Sequence, residues 1–338
     1  MDDMRMGFSL GGLPINSNAP IPTQPSSSTR RNVSERFEEA RKHSGILTLH
    51  NETHKVQLKE LEVLEELNHG SFGTVYRCKW RDDIMAVKTM PLSSDDDIMG
   101  KILMDLEVIR LSYTCPHIVR FYGYFITETD IKICMERMAT CFDSLLKRIK
   151  QPIPEEIIGK MSVSVINALH YLKTKHNIMH RDIKPSNILL DWNGVVKLCD
   201  FGISRRLVES RALTRSAGCY FYMAPERFDI NTSSYDIRSD VWSFGITLYE
   251  LATGKYPYSG NECQVIGSIM TGELPRLNVG DGFSPEFCDL VEKCLQRSPR
   301  DRPNFVQLLE HPFLKSQEDQ ETNVEEWLED IMSMPDTE

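Results

Sequence analysis

At 338 residues, 41% of them hydrophobic, the chain is long enough to bury a full core as one large domain or as a two-lobed unit with tails. Its net charge of −10 excludes general affinity for nucleic acid or anionic lipid, which repel an acidic protein. No run of about eighteen apolar residues offers a membrane span, the start Met1-Asp2-Asp3-Met4-Arg5 lacks a secretory signal's basic flank and apolar core, and nine cysteines without a Cys-x-x-Cys pair fit reduced thiols. An intracellular protein is expected, cytoplasmic or also nuclear.

Residues 1–53 read as a disordered tail, because Pro14 to Ser28 is dominated by Pro, Ser, Asn and Thr and has too little apolar surface to offset the entropy of ordering. Within it, Arg41 and Lys42 precede Ile46-Leu47-Thr48-Leu49. A basic pair before alternating aliphatics suits an extended peptide that sets its charges on an acidic patch and alternate side chains in a partner's pockets. A solvated linker or an early strand of the domain suits the same residues.

From Leu61 the pattern changes to short strands. Leu61, Val63 and Leu64 lead into Leu67-Asn68-His69-Gly70-Ser71-Phe72-Gly73-Thr74-Val75. Gly70 and Gly73 would let backbone amides come close to phosphates, with no side chain in the way. Asn68 stands where such loops usually carry their first glycine, and Asn tolerates left-handed backbone geometry. Met85-Ala86-Val87-Lys88 is then an apolar strand ending in one lysine, placed to reach the α- and β-phosphates of a nucleotide and to be held by an acid from a nearby helix. The spacing of Ile102, Leu103, Leu106 and Ile109 predicts that helix over 98–112. Its acids Asp105 and Glu107 lie about 200° apart, so only one can face the lysine. Asp105 is the candidate, since Ile102 and Ile109 flank it one turn either way; being shorter than glutamate, it predicts a looser ion pair or a helix pushed further inward.

Strands over 117–126 and 131–137 complete a five-stranded small lobe. Met135 would border an adenine pocket, and Glu136 to Met138 would connect the lobes and offer backbone groups to the base. Ile157, Met161, Val165, Leu169 and Leu172 predict a buried helix from Glu155 to His176. It leads to His180-Arg181-Asp182-Ile183-Lys184-Pro185-Ser186-Asn187, whose residue types and spacing fit a phosphoryl-transfer loop. Asp182 would take the attacking hydroxyl's proton, Lys184 would steady the transferring phosphate and Asn187 would hold a magnesium ion. The strand Val195 to Cys199 ends in Asp200-Phe201-Gly202, where a carboxylate would ligate the magnesium that bridges the β- and γ-phosphates. Cys199 is either a reactive thiol or a buried inert one.

With these parts in order, the chain resembles the protein kinase family over residues 61–314. Asp240-Val241-Trp242-Ser243-Phe244-Gly245 is similar to the start of the helix that anchors the catalytic loop, and Arg302 to the family's buried partner for Glu226 of Ala224-Pro225-Glu226. The resemblance implies an α+β, bilobal kinase fold. Its N-lobe (61–136) is a five-stranded antiparallel sheet with one main helix, and its C-lobe (139–314) is mostly helical. ATP and Mg2+ are the implied cofactors.

Ser210-Arg211-Ala212-Leu213-Thr214, followed by Ala217-Gly218-Cys219 and Tyr222-Met223-Ala224-Pro225-Glu226-Arg227, resembles the activation segment of MAP kinase kinases. In that family the serine and threonine are phosphorylated by an upstream kinase. Each phosphate adds about −1.5 to −2 charge and can pair with a basic residue such as Arg181 to order the loop. Met104-Asp105-Leu106 resembles the stress-activated branch, in which aspartate replaces glutamate.

Asn323 to Met332, within a C-terminal segment 315–338, is similar to the docking site for activators, with a helix packed back on the large lobe as the other reading. Arg41 to Leu49 looks like the docking peptide for a MAP kinase. The implied activity is dual-specificity transfer to threonine and tyrosine of a MAP kinase in a stress cascade, under a MAP kinase kinase kinase. A pseudokinase scaffold, supported only by Asn68 and Asp105, and a Ser/Thr kinase of an upstream tier are the other functions that share these motifs.

Overall fold

The computed structural model describes residues 27–70, 73–93, 99, 102–103, 106, 114–200, 220–228 and 236–335. The five expected strands of the small lobe are β3 (Glu62–Gly70), β4 (Gly73–Trp80), β5 (Asp83–Pro91), β6 (Phe121–Ile126) and β7 (Asp130–Glu136). They are antiparallel, and two further strands, β1 (Ile46–Leu49) and β2 (Glu52–Lys55), extend the sheet to seven in the order β2-β1-β6-β7-β5-β4-β3. Central β5 reads as a nearly continuous apolar run because both its faces are covered: Met85, Ala86, Val87, Lys88 and Met90 are all buried. Edge strand β3 instead exposes Glu62, Glu65 and Glu66, charges that discourage pairing with another chain.

The N-terminal segment departs from the tail expected over 1–53. Residues 1–26 lie outside the described residues, but Ser27–His43 is a helix whose last turn carries Arg41, Lys42 and His43, cations that suit the negative end of the helix dipole. Gly45, at φ +79°, turns the chain into β1, and its N–H donates to the Tyr124 carbonyl at 2.9 Å. Leu47 pairs with Gly123, and Leu47 and Leu49 enter a core with Val56, Trp80, Met85 and Phe125. These leucines therefore fill the protein's own sheet and not a partner's pockets, so Ile46 to Leu49 is an early strand of the domain. His50 and Asn51 both take positive φ in the two-residue turn to β2, the backbone that a tight hairpin needs.

A second cluster joins Met90, Phe121, Tyr124, Ile131 and Ile133 to the buried helical residues Met99, Ile102, Leu103 and Leu106, with Phe37 and Ala40 of the N-terminal helix against it. Asp105 lies outside the described residues.

The large lobe is helical around one core. Its central helices are Glu155–His176, with the bounds expected, and Arg238–Thr253, which carries the fully buried Trp242 and Phe244. A small sheet, β8 (Thr140–Cys141), β9 (Ile188–Leu190) and β10 (Val196–Leu198), flanks the loops between them. The last helix, Val324–Ser333, buries Val324, Leu328 and Ile331 on this lobe, and Arg148 donates to the Ile331, Met332 and Met334 carbonyls at its end. Of the two sequence readings of this segment, the packed helix is the one found, and its exposed face carries Glu325, Glu326, Glu329 and Asp330.

Leu47→Ala is expected to lower the free energy of unfolding in urea by about 2–5 kcal/mol, the usual cost of emptying a core leucine site. Thr48→Ala, at the exposed position between the two leucines, should change it by less than about 0.5 kcal/mol. A detached tail would give two indistinguishable curves.

Candidate active site

The loop from His180 to Asn187 is held from below by a carboxylate. Asp240, buried in the first turn of the helix Arg238–Thr253, accepts the backbone N–H of His180 at 2.8 Å and of Arg181 at 2.7 Å. The helix N-terminus favours a negative charge there, and the two bonds stabilise Arg181 at φ +70°, a region that costs a non-glycine residue energy. His180 is fully enclosed, and burial pushes its pKa down, so the ring is neutral near pH 7. Its Nε2 donates to the Cys199 carbonyl at 2.8 Å, which leaves Nδ1 to accept the Asp182 N–H at 3.3 Å. One imidazole thus couples the loop to the strand that delivers Asp200.

Above this support the three expected loop residues converge. Asp182 Oδ2 receives Asn187 Nδ2 at 2.9 Å and Lys184 Nζ at 2.8 Å. Asn187 Nδ2 also donates to the Asp182 carbonyl at 2.8 Å. With its amide nitrogen so engaged, Asn187 has its carbonyl oxygen as the atom for a cation. Cys199 N–H donates to the Asn187 carbonyl at 3.0 Å, tying β10's end to the same loop.

From the other lobe, β5 brings Lys88, whose Nζ lies 2.7 Å from Asp200 Oδ2. The lysine side chain is 8% exposed and the aspartate 30%, so the carboxylate is the more accessible of the two and a ligand can reach it. Asp200 has φ +59°, another unfavourable backbone state at this site. Cys199 is buried, and burial followed by the neighbouring Asp200 charge pushes its thiol well above the ordinary range. Of the two readings of Cys199 the inert one is found, because a thiol that stays protonated is a poor nucleophile.

The glycine-rich loop is the turn between β3 and β4; its tip, Ser71 and Phe72, lies outside the described residues. Gly70 pairs with Gly73, His69 with Thr74 and Asn68 with Val75, while Leu67 is exposed. Gly73 is required sterically: at φ +138°, a Cβ there would sit 2.0 Å from the Thr89 carbonyl oxygen. Asn68 does not use left-handed geometry; it lies in β3 just after a register shift between Glu66 and Asn68, so an extended residue fits where a glycine was thought to be replaced.

At the connection between lobes, Met135 is half-buried against the cluster under the small-lobe helix, and Met138 is also half-buried. Glu136 already commits its own N–H to the Arg120 carbonyl at 2.8 Å, so that group is not open to a base. Ser210 and Thr214 lie outside the described residues. Below the segment that follows them, Arg302 spends all five of its N–H donors: two on Glu226, at 2.9 and 2.8 Å, and the rest on the Arg238, Gln296 and Arg297 carbonyls.

The donor set fits a magnesium nucleotide. Asn187 and Asp200 supply hard oxygen ligands, and among the described residues no group of three or more His, Cys, Asp or Glu forms an all-protein cage. Mg2+ typically takes one or two protein oxygens and completes its shell with phosphate and water. Lys88 and Lys184 supply the positive charge that phosphates need. Sequence reasoning did not find the job of His180. For Asp240 it named the start of the helix that anchors the loop but not the carboxylate that accepts the two backbone N–H groups.

The Protein kinase domain family model matches residues 61–314. The dual specificity mitogen-activated protein kinase kinase mek-1 of Caenorhabditis elegans is 60% identical over 327 residues, covering 96% of this chain and 94% of the relative. Dual specificity mitogen-activated protein kinase kinase 7 of Homo sapiens is 46% identical over 308 residues, covering 89% and 74%. The dual specificity mitogen-activated protein kinase kinase hemipterous of Drosophila melanogaster is 46% identical over 294 residues, covering 85% of this chain and 25% of its own length.

Asp240→Asn keeps the shape but turns an amide NH2 toward one of two backbone donors. It is expected to lower unfolding stability by about 2–4 kcal/mol through one unsatisfied buried group and the lost charge, read as a reduced melting temperature.

Proposed function

Because the chain belongs to the protein kinase family and, within it, to the dual-specificity MAP kinase kinases, ATP-dependent enzymes that use Mg2+, we propose a specific reaction for it. It transfers the γ-phosphate of ATP to threonine and tyrosine in the activation loop of a MAP kinase of a stress-signalling cascade. An upstream MAP kinase kinase kinase switches it on by phosphorylating Ser210 and Thr214. The observation that carries this reading is the contact of Lys88 with Asp200 beside the Asp182, Lys184 and Asn187 cluster.

Each residue's task follows from its chemistry. Lys88 would neutralise the α- and β-phosphates of a bound nucleotide, and Asp200 and Asn187 would hold the metal through their side-chain oxygens. Asp182, held by Lys184 and the Asn187 amide, is the base that takes the proton of the incoming hydroxyl. Lys184 then follows the charge that builds on the transferred group. Bound Mg2+–ATP supplies the phosphoryl group and the cation that screens it. Activation adds phosphates, whose charge and acceptors suit pairing with a basic side chain. Arg181 is the proposed partner, since its main chain is already pinned by Asp240.

Partner choice rests on surfaces outside the cleft. Val324, Leu328 and Ile331 of the helix Val324–Ser333 are taken up by packing, so its acidic outer face is what it offers an activating kinase. The stress branch is favoured by the sequence Met104-Asp105-Leu106, with aspartate where glutamate is usual.

Asp182→Asn should bind ATP within about twofold of wild type yet lose at least about 10²-fold in kcat; retained turnover would reassign the base. Replacing Ser210 and Thr214 by alanine should block activation by an upstream kinase, and acidic replacements should restore part of it. Mass spectrometry of folded MAP kinases of each class, treated with the acidic variant, should find both threonine and tyrosine phosphorylated in a stress-class substrate. Serine/threonine transfer only to generic proteins would place the chain in a different tier.

A further inference from the structure

The two strands that extend the small-lobe sheet leave a cavity of about 540 Å³ between themselves and β6, and neither Lys88 nor Asp200 lines it. Its origin lies in the pairing. Among the described residues β1 and β6 share one register position, Leu47 with Gly123. There β6 also shifts register against β7, between Phe121 and Gly123, and such an irregularity bends a strand. Past that point the hairpin and β6 part. Thr48, Asn51 and Thr53 line the space on one side, and Arg120, Phe121 and Tyr122 on the other. His43, the last residue of the helix Ser27–His43, joins Ile46 and Tyr124 in the remaining wall. A five-stranded lobe without the N-terminal helix and hairpin would lack half of this lining.

The volume falls in the range of small-molecule sites, about 300–1,000 Å³, and so does the mixture of aromatic walls with a few polar groups. The charge has one sign: Arg120 is there, and among the described residues no Asp or Glu lines the cavity. Arg120 is set on a fixed base, since its N–H donates to Glu136 Oε1 and its carbonyl accepts the Glu136 N–H. Its side chain donates from one Nη to Asn51 Oδ1 at 3.1 Å, which leaves Nε and the other Nη without a partner among the described residues. Thr48 and Thr53 stand directly opposite one another in the hairpin, with hydroxyls that make no bond among the described residues. His43 engages the Glu39 carbonyl through Nδ1 at 3.0 Å, so Nε2 is open. A guanidinium fork matches the two oxygens of a carboxylate, and hydroxyls and an imidazole nitrogen can bond any oxygen left over. One arginine balances a single negative charge and leaves a phosphate dianion under-compensated.

We propose that this cavity binds a small aromatic carboxylate: its acid group docks on Arg120, and its ring lies between Ile46 and the aromatic residues of β6. Such a ligand would join the N-terminal helix, the hairpin and β6 through one molecule. The site is separate from the cleft, and the inference does not depend on the phosphoryl-transfer reading.

The test uses the full chain, with 2-naphthoate and its neutral isostere 2-naphthamide as probes, titrated by calorimetry with and without saturating Mg2+ and a non-hydrolysable ATP analogue. Wild type is expected to bind one 2-naphthoate per chain, and 2-naphthamide at least about tenfold more weakly, a difference of about 1.4 kcal/mol. Arg120→Gln, a change of an exposed side chain, should weaken 2-naphthoate by the same factor and bring the two probes to equal affinity. Thr48→Trp, which fills the cavity from an exposed position, should abolish binding of both. The nucleotide analogue should leave the 2-naphthoate affinity within about twofold.

No saturable binding of 2-naphthoate to wild type overturns the proposal, as does equal affinity for the amide. Binding that persists unchanged in both variants, or that the nucleotide analogue displaces, places the probe elsewhere and overturns it too. A concentration-dependent dimer of the wild type that Thr48→Trp dissociates, seen by sedimentation, would show a second copy of the chain covering the cavity and would likewise overturn the small-molecule assignment.

Discussion

The contact between Lys88 and Asp200 is the constraint around which the two lobes are arranged. The lysine lies on an apolar central strand and the aspartate just past a short strand in the other lobe, 112 positions apart in the sequence. A lysine 8% exposed needs a counter-charge, because burying an ammonium alone is far more costly than the pair's attraction can be worth in water. The pair alone supplies little net stability. What it does is keep two opposite charges where a ligand bearing both phosphate and metal can replace it with two better contacts.

Such a site needs a rigid floor, and buried carboxylates provide it by accepting backbone N–H groups. Asp240 holds the turn that carries Asp182, at the cost of a left-handed Arg181. Neutral His180 joins that turn to the segment carrying Asp200. Glu226 accepts two of the five Arg302 N–H bonds beneath the segment that follows, and three backbone carbonyls take the rest. In each case a charged or polar group that would be expensive to bury is fully bonded, and the lost conformational freedom is concentrated where catalysis needs fixed distances.

Much of this was legible from the residues. The helix Glu155–His176 announced itself through Ile157, Met161, Val165, Leu169 and Leu172 at helical spacing, five of its ten buried positions, and the cleft residues through types and intervals that phosphoryl transfer demands. The N-terminal hairpin was not, because its partner strand is some 70 residues on, and Leu47 reveals its role only opposite Gly123. There Gly123, at φ +153°, has no room for a Cβ against the Ile46 carbonyl, 2.3 Å away, a tertiary requirement no local pattern contains. The C-terminal helix was ambiguous for a related reason: an apolar stripe says that something is covered but not by what. Asp105, Ser210 and Thr214 lie outside the described residues, so the small-lobe ion pair and the phosphorylation switch rest on the sequence.

The most direct measurement is calorimetric titration of ATP into the full chain with and without Mg2+, for wild type, Asp200→Asn and Lys88→Met. If the two residues converge on one magnesium nucleotide, the wild type binds ATP more tightly with Mg2+, Asp200→Asn loses that enhancement, and Lys88→Met binds weakly in both conditions. An Asp200→Asn protein that keeps the full Mg2+ enhancement, or a Lys88→Met protein with unchanged affinity, would contradict a shared site.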